Sequence, residues 1–105
     1  MHNQIDVFSD YFYRKPRDTL VVEGETAQLS CEVVEDAMTS IWLKDGEVIL
    51  KSSKTSLTTI GKLHKLTIHN TEMCDEGQYT VNVNDRKRIS DLEVKGINLF
   101  EVIQG

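Results

Sequence analysis

Residues Ala27 to Val33 alternate without a break: Ala27, Leu29, Cys31 and Val33 are apolar, and Gln28, Ser30 and Glu32 between them are polar. A helix, with its period of 3.6, cannot segregate such a pattern, whereas a strand places every second side chain on one face. The segment predicts a strand with one buried and one wet face. The same period recurs at Leu66 and Ile68, at Tyr79, Val81 and Val83, and at Leu92 and Val94, while helical periodicity is nearly absent. Turn residues punctuate these runs: Glu23-Gly24-Glu25, Lys44-Asp45-Gly46-Glu47, Gly61 between segments 54–60 and 62–68, and Asn84-Asp85. Leu20 and Val22 predict an early edge strand. Pro16 just before them suits an edge or a break between two short strand pieces, since proline has no N–H for a ladder. The expected class is all-β.

The chain of 105 residues fits one domain, and 39% hydrophobic with 28% charged residues is the make-up of an ordinary globular protein. Its formal charge of −5 opposes binding to nucleic acid or an acidic membrane, whose footprint is basic. The longest apolar runs are triplets such as Leu20-Val21-Val22, far short of a membrane span. The start, Met1-His2-Asn3-Gln4-Ile5-Asp6, lacks the charged-then-apolar pattern of a signal peptide, and no Asn-x-Ser/Thr acceptor occurs. The expectation is no nucleic-acid, membrane or small-molecule partner.

The most specific pattern is Cys31, Trp42 and Asp75-x-Gly77-x-Tyr79-x-Val81, joined by Gly24-Glu25, Leu29-Ser30-Cys31, Trp42-Leu43-Lys44-Asp45-Gly46 and Leu66-Thr67-Ile68. With these residues the stretch 11–95 resembles an intermediate-set (I-set) immunoglobulin domain of the giant intracellular muscle proteins such as titin, obscurin, myomesin and the myosin-binding proteins. The resemblance implies an immunoglobulin-like β-sandwich of two mostly antiparallel sheets with Greek-key connections. It makes 1–10 a leader or linker and 96–105 a linker or the start of a following repeat. The implied core is Cys31, Trp42, Leu66, Ile68, Tyr79 and Val81.

The family carries a second cysteine where Val81 stands, so no inter-sheet disulfide is expected, and Cys74 falls too early, in the loop before the corner. A bridge between positions 31 and 81 would close a loop of about fifty residues, worth roughly 4 kcal/mol in the chain-entropy model. Packing alone must replace it. Unpaired cysteines suit a reducing compartment, and the expected location is cytoplasmic, in the sarcomere or cytoskeleton. The resemblance also makes Tyr79 a corner tyrosine bonded to upstream backbone, pairs Asp75 with a basic residue for which Lys54 is the candidate, and gives Gly77 a backbone angle that a side chain would strain. Ser40 departs from the family, which carries an apolar residue there; Met38 or Ile41 are the candidates to compensate.

His64, His69 and Cys74 carry metal donors, but their spacing lacks the paired close ligands of a zinc site, and no metal or cofactor is expected. Cys74 lies among Glu72, Asp75 and Glu76, not in the electropositive setting of a reactive thiol. No nucleophile–base pattern or phosphate-binding loop stands out, so an enzyme is not expected. The basic clusters Arg14-Lys15-Pro16-Arg17 and Arg86-Lys87-Arg88 remain; the second is expected near Glu35-Asp36, as screened surface pairing worth roughly 0 to 1 kcal/mol or as a partner-docking rim.

Of the seven aromatic residues, Trp42 and Tyr79 are assigned to the core, and Phe8, Tyr11, Phe12, Tyr13 and Phe100 to the flanks. Flanks that dangle are normally polar, so Phe12, Tyr13, Ile97, Leu99, Phe100 and Val102 become interface candidates. The apolar segment 97–103 is expected to add to a sheet edge or to another copy. The functional expectation is a non-catalytic structural and protein-binding module, one unit of a tandem array, contacting protein partners, neighbouring immunoglobulin or fibronectin domains, or itself. The alternatives are an extracellular adhesion or receptor domain that lost its disulfide, and a domain flanking a kinase in a giant muscle protein.

Overall fold

The computed structural model describes residues 11–97. They form nine strands: β1 Phe12–Arg14, β2 Thr19–Val22, β3 Ala27–Val33, β4 Ser40–Lys44, β5 Glu47–Val48, β6 Thr55–Ile60, β7 Leu63–Ile68, β8 Gly77–Val83 and β9 Arg86–Lys95. A short 3-10 turn, Met73–Asp75, precedes β8. Two sheets result, one ordered β1-β3-β7-β6 and the other β2-β9-β8-β4-β5. Among the described residues no helix is long and apolar enough to cross a membrane.

Local chemistry sets the hairpins. Asp45 and Gly46 both take positive φ (48° and 87°) between β4 and β5, and Asn84 and Asp85 do the same (50° and 66°) between β8 and β9. Two consecutive left-handed residues match the twist of a tight hairpin, and Asn, Asp and Gly adopt them at least cost. Pro16 lies in the link that divides the first edge into β1, antiparallel to β3, and β2, parallel to β9. The parallel register Thr19↔Leu92 to Val22↔Lys95 points Leu20 and Val22 outward, 61% and 39% exposed, and turns Val21 to the core. The edge strand therefore buries the residue between the two that the alternation of Leu20 and Val22 emphasised.

The core lies between the sheets. Ala27, Leu29, Cys31 and Val33 enter it from β3, Leu66 and Ile68 from β7, Trp42 from β4, Tyr79, Val81 and Val83 from β8, and Leu92 and Val94 from β9. Phe12 joins them at 8% exposure, a correction to its assignment to a flank and an interface. Its neighbour Tyr13 faces away at 79% exposure. The pairing Phe12↔Val33 holds β1 on β3.

Candidate functional site

Cys31, Trp42, Leu66, Ile68, Tyr79 and Val81 are all buried, and Val81 sits beside Trp42 in the β4–β8 ladder. Cys31 and Cys74 are both free thiols, the first buried and the second exposed. Burial pushes the Cys31 thiol up to about 11, with the Arg14 charge opposing weakly. A neutral, enclosed thiol is a packing group and not a nucleophile.

The corner before β8 is a polar knot. Tyr79 Oη donates to the Asp75 carbonyl at 2.6 Å, and Asp75 Oδ2 accepts from the Glu72 amide at 2.7 Å. Lys54 Nζ lies 2.9 Å from Asp75 Oδ2 and donates to the Asn70 carbonyl at 3.2 Å. The Asp75 hydrogen bond raises the Lys54 pKa, and burial raises that of Tyr79. Tyr79→Phe is expected to cost roughly 1 to 3 kcal/mol, because the Asp75 carbonyl loses its buried donor. Urea melts of the two proteins check this, and a difference within about 0.5 kcal/mol would make the hydroxyl irrelevant.

Gly77 serves this corner for a reason other than its backbone angle. A Cβ there would stand 2.7 Å from Asp45 Oδ2 and 3.1 Å from Asp45 Oδ1. That carboxylate accepts from the Gln78 amide at 3.0 Å and from Lys44 Nζ at 2.9 Å, and the Gln78 bond, then Lys44, lowers its pKa. A side chain at position 77 would push the Asp45 carboxylate off the Gln78 amide, so the glycine makes room for that bond.

The three metal-donor candidates are not brought together. His64 is fully buried on β7, its Nδ1 2.7 Å from Ser40 Oγ and 3.2 Å from Thr59 Oγ1. Burial lowers its pKa, so it stays neutral in the core. Its Nε2 has no hydrogen-bond partner among the described residues. His69 Nε2 lies 3.2 Å from Ser56 Oγ. Cys74 instead neighbours Glu72 and Asp75, all three donor atoms within 4.8 Å, but Asp75 already holds Lys54. The His64–Ser40 pair also answers the Ser40 departure: a polar pair fills the site, Met38 packs on the core, and Ile41 is 47% exposed. Stepping by two back from Ile68 and Leu66 reaches His64, so its inward face was readable in the alternation.

The arginines Arg14, Arg86 and Arg88 of the basic clusters are engaged within the domain. Arg86 lies 5.5 Å over Tyr11 and Arg88 5.0 Å over Phe12, contacts that attach Tyr11 and the start of β1 to the end of the sandwich at the β8–β9 turn. Arg14 donates to Ser30 carbonyl and Oγ at 3.2 and 3.1 Å and lies 3.4 Å from Glu32 Oε1. Of the C-terminal interface candidates, Ile97 is 59% exposed, while Leu99, Phe100 and Val102 lie outside the described residues, as does Phe8.

Residues 10–95 match the family model described as "Immunoglobulin I-set domain". Human cardiac-type myosin-binding protein C is 32% identical over 68 residues, 65% of this chain and 5% of that protein. The crystal structure of the I9-I11 tandem from titin superposes with a TM-score of 0.80 at 28% identity, covering 81% of this chain and 32% of that one. The twitchin kinase region from C. elegans gives a TM-score of 0.75 at 30% identity, covering 80% of this chain and 16% of that one. The chain thus spans about a twentieth of the length of the curated relative it matches.

Proposed function

This chain belongs to the immunoglobulin I-set family, and from that premise we propose that it is a non-catalytic structural and protein-binding module, one unit of a tandem array in a sarcomeric protein. One observation carries the reading furthest. Tyr11 and Phe12 sit under Arg86 and Arg88 beside the β8–β9 turn, whereas Lys95 ends β9 beside Glu23, whose amide donates to its carbonyl at 2.7 Å. Ten residues of β9 separate these poles, about 33 Å of strand. A module entered at one pole and left at the other is a spacer by construction. Tension between the poles loads the parallel β2–β9 pair lengthwise, so that its ladder bonds must be sheared together. The domain is taken as 11–95, with 1–10 and 96–105 as connections to neighbouring immunoglobulin or fibronectin domains.

The reducing cytoplasm fits a core that holds one thiol beside valine. The likeness to myosin-binding protein C and titin supports a muscle setting, and the likeness to part of the twitchin kinase region fits the kinase-flanking alternative less strongly. In either setting the module binds and spaces. Pulling the intact chain by its two ends tests this. The expected trace is one cooperative event that releases about 260 Å, the contour of some 85 residues less the roughly 33 Å between the poles, and is identical with and without reductant. Gradual extension at low force, or an event that lengthens in reductant, would overturn the load-bearing reading and reopen the extracellular one.

A further inference from the structure

On the outer face of the five-stranded sheet, β9 presents Lys87, Ile89 and Asp91, with Asn82, Thr80 and Gln78 of β8 opposite them in that order. The middle row continues through Leu43 of β4, beside Thr80, to Val48 of β5, beside Leu43. It is apolar apart from Thr80, and Ile89 and Val48 are each 57% exposed. The row on one side carries a cation and an amide. The row on the other carries an anion and an amide. Asn82 belongs to this face only in part, since its Oδ1 is buried beneath the surface, with no hydrogen-bond partner among the described residues.

This order is its own complement. In an isologous pair each residue meets the one related to it by the two-fold axis. We propose that this face pairs with the same face of a second copy of the chain, the axis running along the Ile89-to-Val48 row. Lys87 of each copy then faces Asp91 of the other, Asn82 faces Gln78, and the apolar row lies on itself. Ile41, 47% exposed, sits at the rim beside the other copy's β4–β5 turn. An axis laid along β9 instead would set Lys87 against Lys87 and Asp91 against Asp91, so charge selects the antiparallel arrangement.

The size of the patch fixes the strength. Three rows about 6.8 Å apart across four strands about 4.8 Å apart cover roughly 400 Å² per copy. That is about half of a standard interface, so the pair is a weak, reversible one. The partner surface is independent of the tandem-array reading, because it uses neither pole of the sandwich.

Sedimentation equilibrium of the full 105-residue chain, from about 10 μM to about 1 mM, spans the range of such weak interfaces. The expected result is a monomer–dimer equilibrium that Ile89→Lys abolishes and that Ile89→Thr, which keeps the β-branched strand residue, weakens. Lys87→Asp and Asp91→Lys are each expected to weaken it about tenfold by setting like charges opposite one another, and the double exchange to restore it. Melting temperatures equal to the parent's show that these exposed positions leave the fold intact. A monomer throughout, dimerisation indifferent to Ile89→Lys, or a double exchange that fails to restore association would each overturn the proposal, the second by placing the contact elsewhere, such as the apolar segment 97–103.

Discussion

Replacing Trp42 by alanine is expected to remove about 3 to 5 kcal/mol of stability, the range for truncating a large buried aromatic. The residue is 2% exposed on β4, beside Val81 and between the two sheets. The hole is not readily filled: the core side chains enter from separate strands of both sheets, each fixed by its own ladder, so relaxation is small and the cavity persists. A domain of this size is stable by about 5 to 15 kcal/mol, so the variant stands near its unfolding threshold. Because Trp42 is the only tryptophan, urea unfolding of both proteins is followed by circular dichroism and not by indole fluorescence. A loss below about 0.5 kcal/mol would mean that the ring is not a core element.

Val81→Cys is the converse experiment, since it supplies the thiol that the family carries at this position. Cys31 and Val81 are both fully buried in the common core, on strands of opposite sheets. Oxidation of the variant is expected to join them, closing a loop of about fifty residues and adding up to about 4 kcal/mol. Unfolded in the absence of reductant, the parent should titrate two thiols, because Cys31 and Cys74 are free. The variant should titrate only Cys74 and be lighter by two hydrogens. Three free thiols in the variant after oxidation would place position 81 out of reach of Cys31. The expected outcome also explains what the native chain does without the bridge: Cys31 remains a small apolar side chain, and packing carries the whole load.

Most of the strands, the inward residues of β3, β7, β8 and β9, and the tight hairpins were legible in the chain because each depends on neighbours a few residues apart. Alternation alone assigned Cys31 and Val81 to buried faces, and two left-handed residues at Asp45-Gly46 and Asn84-Asp85 are local chemistry. The corner was legible by resemblance, down to Lys54 opposite Asp75 at 2.9 Å.

What the tertiary structure decided were matters of register between distant strands. Phe12 reads as a flank until β1 is laid on β3, and which residue of β2 turns inward, Val21 and not Leu20 or Val22, is settled only when β2 pairs in parallel with β9. The partners of Gly77 and His64 lie across the sandwich or along a neighbouring strand, which local sequence does not encode: Asp45 stands where a Cβ would go, and Ser40 meets the imidazole. The same holds for the apolar row from Ile89 to Val48, whose members lie on four strands and become adjacent only through their ladders. Period two fixes which face a side chain takes, since that is a property of one strand's pleat; which side chains share a row is fixed by hydrogen-bond register, and that exists only once the sheets have formed.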